Sequence, residues 1–113
     1  MPKKIRPLLV EKYDITHNIL NHIIDLETRY ILFSIVKRPM RVQEISRRIN
    51  IPLSTAYKKI DELTKLSLVS ERKDFGKDGR VVKLYQSKIQ DVEISISNFE
   101  PSISFRKNPH HDD

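Results

Sequence analysis

Apolar side chains recur at helical spacing through the first third of the chain. Residues 14–24 carry apolar positions three and four apart, which predicts a helix with Asp14 as its N-cap. Residues 26–38 are apolar around most of the circumference, so we expect a second helix that is buried on more than one side. Asp25 is placed to cap this helix and Pro39 to end it.

Two shorter amphipathic segments follow. Residues 42–50 and 53–66 each have an apolar face and a polar face, and Ile51-Pro52 separates them. Proline suits a first helical turn, so the pattern predicts two short helices joined by a tight turn. The first 13 residues contain two prolines and no helical periodicity, and we expect an extended arm there.

The last third of the chain changes to a period of two. Strand-like runs flank GKDGR at 76–80, where Asp78-Gly79 is a strong signal for a hairpin turn. Apolar residues then alternate with polar ones through 92–97 and again near 103–105, which predicts two more half-buried strands. The polar C-terminal residues 108–113 are expected to be disordered.

This order of elements predicts an α+β fold. The expected architecture is a winged helix-turn-helix, with a three-helix core, a β-hairpin wing, an extra N-terminal helix and C-terminal strands. The predicted units are an N-terminal arm and helix over 1–25, a winged helix-turn-helix over 26–88, a β-strand extension over 89–107 and a tail over 108–113.

Positive charge is concentrated in the predicted helix-turn-helix and wing. The chain has 21 Lys and Arg against 15 Asp and Glu, a net charge of +6. Residues 37–90 alone hold 14 basic and 6 acidic side chains, a net charge of +8. Such a local excess is the electrostatic pattern that phosphate binding requires, although ordinary solvated lysines are the simpler alternative.

The segment 53–66 has the polar face that a DNA-reading helix needs. Short hydroxyls approach phosphates and base edges closely, and longer donors reach further. We expect helix 53–66 in the major groove and wing 75–81 on the DNA backbone or in the minor groove. The wing cations are Lys73, Lys77, Arg80 and Lys83. The predicted DNA-binding residues are Arg41, Gln43, Arg47, Arg48, Ser54, Thr55, Tyr57, Lys58, Lys59, Lys73, Lys77 and Arg80.

The flanking segments carry more apolar positions than a domain of this size can hide alone. A two-fold dimer is one solution, and two flanks that cover each other within a monomer are the other. The dimer interpretation predicts an interface that includes Ile15, Ile19, Leu20 and Ile23.

Several classes of function lack support. The chain has no cysteine, which excludes a disulfide scaffold and a thiolate metal site. No apolar run approaches the roughly 20 residues of a membrane span, and no secretory signal is evident, so we expect a cytoplasmic protein. The histidines and carboxylates form no catalytic or metal-ligand pattern, so we expect neither an enzyme nor a cofactor.

Three segments together resemble the winged-helix repressors of the ArsR/MarR type, especially small archaeal members. They are TRYILFSIV at 28–36, VQEISRRINIPLSTAYKKIDELTKLSLV at 42–69 and the GKDGR turn, and the likeness spans about 28–87. It implies a dimer that binds near-palindromic operators and regulates transcription. It also implies groove-facing positions for Ser54, Thr55, Tyr57, Lys58 and Lys59 and a wing-tip position for Arg80.

The chain departs from that family pattern in three ways. Ser67 stands where the family usually has glycine before Leu68-Val69, no cysteine pair is present near the third helix, and the C-terminus has strands in place of a long helix. The second departure removes thiolate metal sensing. The third means that any dimer interface is built differently.

Two other functions fit the same fold. A winged helix can serve as a protein–protein interaction module of the transcription machinery, and a small basic protein can bind DNA with little sequence preference, as a nucleoid protein does. The concentration of charge on the helix-turn-helix and wing favours a sequence-specific, DNA-binding transcriptional regulator over the protein–protein module. A ratio of specific to non-specific affinity near one would favour the nucleoid protein.

Overall fold

The computed structural model of the chain describes residues 6–111, with side chains from Ile15 onward. Within that range four helices precede four strands, which pair into two antiparallel hairpins. The elements are α1 (Arg6–Ile23), α2 (Leu26–Ser34), α3 (Val42–Ile49), α4 (Leu53–Lys65), β1 (Val69–Phe75), β2 (Val81–Ser87), β3 (Ile89–Ser97) and β4 (Glu100–Lys107). This is the predicted α+β architecture: a helix-turn-helix, a wing, and an added helix and hairpin.

Helix α1 is longer than predicted. It begins at Arg6, so the extended arm predicted for the N-terminus is wrong for residues 6–13, and residues 1–5 lie outside the described range. Pro7 is tolerated because a proline in the first helical turn removes an N–H that has no partner in the helix. Asp14 therefore lies inside α1 and is not its N-cap.

Helix α2 begins as predicted and ends early. The carboxylate of Asp25 accepts hydrogen bonds from Thr28 N at 3.0 Å and Thr28 Oγ1 at 2.7 Å, which confirms the N-cap. The helix stops at Ser34, because Pro39 has no N–H to donate to the carbonyl of Ile35. That carbonyl accepts from Ser87 N of β2 at 3.0 Å instead.

One side of α2 is more exposed than predicted. Ile31 and Leu32 are fully buried, but Leu26, Tyr30 and Phe33 lie on the solvent side. The prediction that α2 is covered on several sides is therefore wrong for this stripe, since no other element in the described range packs over it fully.

The apolar faces of α3 and α4 meet in the core. Ile45, Ile60 and Leu63 are completely or almost completely buried there, each contributing about 1.5–3 kcal/mol to folding. Ile23 of α1 belongs to the same core cluster and is 2% exposed. The interface prediction for Ile23 is therefore wrong, because its side chain is already covered by its own chain.

A residue with left-handed backbone conformation follows each helix of the helix-turn-helix. Asn50, the C-cap of α3, has φ 57°, and Ser67, two residues after α4, has φ 62°. Positive φ is the conformation in which glycine is least costly, which explains the glycine of the family pattern at the Ser67 position. Serine preserves the same turn here, and Leu68 N donates to Leu63 O at 3.0 Å.

The wing is the β1–β2 hairpin, whose last strand pair is Phe75 and Val81. Gly79 N donates to Gly76 O at 3.0 Å, so Lys77 and Asp78 occupy the centre of the turn. Gly79 follows with φ 80°, the left-handed position of a three-residue hairpin loop. The predicted two-residue Asp-Gly turn is therefore displaced by one residue.

The C-terminal hairpin pairs β3 with β4 and separates two faces. Val92 lies opposite Phe105, Ile94 opposite Ile103, and Ile96 opposite Pro101. These cross-strand pairs share one apolar face. Asp91, Glu93 and Arg106 belong to the other, polar face.

The described part of the tail is packed against the domain, which overturns the predicted disorder for residues 108–111. Asn108 is fully buried, and its Nδ2 donates to Val36 O at 2.7 Å and to Ser87 O at 2.9 Å. This one side chain thus donates to two buried carbonyls, and the carbonyl of Val36 also accepts from Gln86 Nε2 at 3.1 Å. Residues 112–113 lie outside the described range.

Candidate nucleic-acid interface

Strand alternation gives the wing two distinct faces. Glu71, Lys73 and Phe75 of β1 pair with Tyr85, Lys83 and Val81 of β2, so these six share the face turned toward α4. Ser70, Arg72 and Asp74 pair with Gln86, Leu84 and Val82 on the opposite face. Only the first face is continuous with the recognition helix.

The helix-turn-helix and the wing meet at a shallow depression of about 340 Å³. Gln43 Nε2 of α3 donates to Tyr57 OH of α4 at 3.4 Å along its edge. Among the described residues, Arg41 and Lys83 are the charged ones that line it. The depression therefore offers hydrogen-bond donors and positive charge where the three elements converge.

The outer face of α4 carries three of the predicted contact residues. Ser54, Tyr57 and Lys58 are exposed, with Tyr57 at 47%, because Ala56 and Ile60 turn inward to the core. Thr55 is half-buried at the side of this face. The structure thus brings short and long hydrogen-bonding groups together on one accessible helix surface.

Lys59 does not lie on that surface, so its assignment as a groove residue is wrong. Its Nζ lies 2.6 Å from Asp25 Oδ2 and 3.8 Å from Glu27 Oε1 at the start of α2. The hydrogen bond from Lys59, followed by those from Thr28, lowers the pKa of Asp25 to about 2. Lys59 therefore forms ion pairs that link α4 to the start of α2, at the α1–α2 corner.

The two arginines at the end of α3 diverge. Arg47 is exposed four residues after Gln43, on the same side of the helix. Arg48 turns away, with Nη1 3.8 Å from Met40 Sδ, and lines a cleft with Phe33 and Gln90. The structure therefore places Arg47, but not Arg48, beside the recognition helix.

The wing tip presents the remaining cations. Lys73, Lys77 and Arg80 are exposed, and Arg80 Nε lies 3.3 Å from Asp78 Oδ2. Both of these side chains are mostly in solvent, so the ion pair is weak and leaves Arg80 able to reorient.

Tyr85 is a buried residue of this region that the sequence did not reveal. Its OH donates to Glu71 Oε1 at 3.0 Å, and Met40 forms a bridge with it through two backbone hydrogen bonds. Burial, reinforced by the bond to Glu71, raises the pKa of Tyr85 to about 12. The period of two along β2 is the only sequence signal that places Tyr85 and Lys83 on the α4 side.

The other predicted interface residues occupy α1. Ile15 is 67% exposed, whereas Ile19 and Leu20 are half-buried and Ile19 packs against the core. Only Ile15 of this group is left largely uncovered within one chain.

Among the described residues, no group of three or more histidine and carboxylate side chains is arranged to hold a metal ion. None of the helices in the range 6–111 combines the length and apolar character needed to cross a bilayer.

Two solved structures share this fold. The crystal structure of NolR from Sinorhizobium fredii is 25% identical in sequence, has a TM-score of 0.61, and the match covers 72% of this chain and 76% of NolR. Reduced HlyU from Vibrio cholerae N16961 is 18% identical, has a TM-score of 0.56, and the match covers 70% of this chain and 78% of HlyU. No protein-family model and no curated protein matches the chain. The chain therefore has the winged helix-turn-helix fold.

Proposed function

We propose that this chain is a sequence-specific DNA-binding transcriptional regulator. The observation that carries the proposal is the depression between α3, α4 and the wing, where Gln43 meets Tyr57 and the lining charges are the cations Arg41 and Lys83. The structural likeness to NolR and HlyU supports a regulatory role. A non-enzymatic role fits the same features.

In this proposal α4 enters the major groove, as the second helix of a helix-turn-helix does. Ser54, Tyr57 and Lys58 reach base edges and nearby phosphates from its exposed face. Arg41 and Arg47 hold the backbone beside α3. The wing then reaches an adjacent phosphate or the minor groove with Lys73, Lys77 and Arg80.

We further propose that the regulator is a homodimer. The apolar face of the β3–β4 hairpin is incompletely covered, since Ile96 is 66% exposed and Ile94 and Phe105 are each 41% exposed. Helix α1 packs against β4 and adds the exposed Ile15. A second copy that covers these residues gives a self-complementary, two-fold interface. Its two recognition helices then address half-sites about 34 Å apart.

Duplex binding at graded salt tests the DNA proposal. If each subunit neutralises roughly 3–5 phosphates, a dimer shows a slope of log affinity against log salt of about −5 to −9. Lys65→Ala, which removes an exposed lysine at the far end of α4, is the matched control and should bind nearly as the wild type. Absence of duplex binding at low salt, or an affinity that does not change with salt, contradicts the proposal.

A further inference from the structure

A second concave surface lies on the back of the wing, on the face opposite α4. It encloses about 500 Å³, within the range of small-molecule sites. Strand alternation assigns Arg72 to this face, whereas its neighbour Lys73 belongs to the α4 face. The residues that give the cavity its chemical character are Lys37, Arg72, Leu84, Lys88, His110 and His111.

The cavity carries unbalanced positive charge. In the described part of the chain, no carboxylate forms an ion pair with Lys37, Arg72 or Lys88. Glu71 also borders the cavity, but its carboxylate accepts from Tyr85 OH at 3.0 Å, and Glu71 and Tyr85 share the α4 face. Three cations therefore border this space, and Glu71, the carboxylate that also lines it in the described part of the chain, is already hydrogen-bonded to Tyr85.

The C-terminal tail forms one wall and is held firmly. Asn108 anchors its backbone in the core, and Gln86 Nε2 donates to His110 O at 3.3 Å. His111 Nε2 lies 2.7 Å from Ser70 Oγ, which ties the tail to β1. The tail backbone and the His111 imidazole are thus held at the rim of the cavity before any ligand arrives, which lowers the entropic cost of binding.

We propose that this cavity binds a small phosphorylated molecule. Three cations without carboxylate partners favour a ligand with two or more negative charges, and the guanidinium of Arg72 can bind a phosphoryl group through two parallel hydrogen bonds. Leu84 and Pro39 supply an apolar wall for a ring attached to the phosphates. A nucleoside diphosphate has both parts. The site lies on the opposite face of the wing from the proposed DNA surface, and it takes a different ligand.

Isothermal titration with inorganic pyrophosphate and with ADP tests this site on the full chain. Arg72→Ala should weaken pyrophosphate affinity about tenfold, because one charge-assisted contact is lost. Lys88→Ala should act similarly. Lys73→Ala is the matched control, since it removes a cation from the adjacent residue on the other face, and it should leave pyrophosphate affinity unchanged. ADP should bind more tightly than pyrophosphate.

Duplex binding by the same variants separates a small ligand from a nucleic-acid backbone. Lys73→Ala should weaken duplex binding, and Arg72→Ala should not. Three results overturn the proposal: no saturable pyrophosphate binding at millimolar concentration, equal pyrophosphate affinity in Arg72→Ala and Lys73→Ala, or a loss of duplex affinity in Arg72→Ala as large as its loss of pyrophosphate affinity. Pyrophosphate binding is measured without DNA, so the site stands or falls independently of the proposed function.

Discussion

Lys59 Nζ lies 2.6 Å from Asp25 Oδ2, and this pair joins the recognition helix to the N-cap of α2. Asp25 also accepts from the backbone and hydroxyl of Thr28, so one carboxylate holds both the start of α2 and the flank of α4. A second link, His22 Nε2 to Glu62 Oε2 at 2.5 Å, lies along the same seam between α1 and α4. Two side-chain links therefore join α4 to the α1–α2 corner.

The Asp25–Lys59 pair should contribute to stability in a pH-dependent way. The pKa of Asp25 falls from 3.8 to about 2 on folding, so the contribution is present above about pH 4 and is lost as the pH falls toward 2. Because Asp25 is 41% exposed, solvent screening limits it to about 1 kcal/mol. Asp25→Asn keeps an N-cap oxygen and removes the charge.

Urea unfolding of the wild type and Asp25→Asn from about pH 5 down to about pH 2 measures this contribution. The difference in unfolding free energy should be about 1 kcal/mol at the upper pH and should be mostly lost at the lower one. Asp25→Ala, which also loses the cap, should retain a residual cost of about 1 kcal/mol at low pH. A wild-type advantage over Asn that is constant or grows on acidification contradicts the assignment.

Neighbouring lysines on α4 should affect DNA binding unequally. Lys58→Ala should cost about 1–3 kcal/mol of affinity for the preferred sequence and relax sequence preference, because Lys58 lies on the exposed face. Lys59→Ala should instead lower stability by about 1 kcal/mol and leave preference intact, since its ammonium is bound to Asp25. Arg80→Ala should weaken binding to most sequences by similar amounts.

Competition binding against a panel of duplexes, with stability measured in parallel, separates these three effects. The docking model fails if Lys59→Ala alters preference more than Lys58→Ala does, or if Arg80→Ala binds as the wild type and Lys58→Ala changes nothing.

Much of the fold could be predicted from local sequence patterns. The predictions differ from the structure where contacts between residues far apart in the sequence determine the arrangement. Asp25 was identifiable as a cap because its partner is three residues away. The side chains of Lys58 and Lys59 point only about 100° apart around the helix. Nothing in the local sequence shows that Asp25, which lies 34 positions earlier, contacts Lys59. The contacts of Asn108 were equally hidden from local sequence patterns, because its hydrogen-bond partners are the distant carbonyls of Val36 and Ser87.

The C-terminal tail should stabilise the folded domain. Asn108→Ala removes two buried hydrogen bonds, to the carbonyls of Val36 and Ser87, and leaves Val36 O with Gln86 Nε2 as its side-chain donor, which should cost about 2–3 kcal/mol. Asn18→Ala is the matched control, because Asn18 is exposed on α1 and alanine is the better helix former. Thermal unfolding of both variants measures the effect, and equal midpoints for the two would contradict the role given to the tail.

The proposed dimer should depend on residues that are exposed in a single chain. Ile15→Glu and Ile96→Glu place charge on side chains that are 67% and 66% exposed, so neither should disturb folding. Both should convert a dimer into the 13.4 kDa monomer. Val81→Glu is the control, since Val81 is an exposed apolar residue on the wing. Sedimentation equilibrium at micromolar concentration decides, and a monomeric wild type rejects the interface.

Selection of bound duplexes from a random DNA pool tests the central claim most directly. A sequence-specific regulator should enrich one motif, and the proposed dimer should enrich it as two near-palindromic halves about one DNA turn apart. Specific affinity should exceed non-specific affinity by a factor of about 10³ or more. Recovery of unenriched pool sequences at a specific-to-non-specific ratio near one would contradict sequence-specific regulation, and recovery of no DNA would contradict DNA binding altogether.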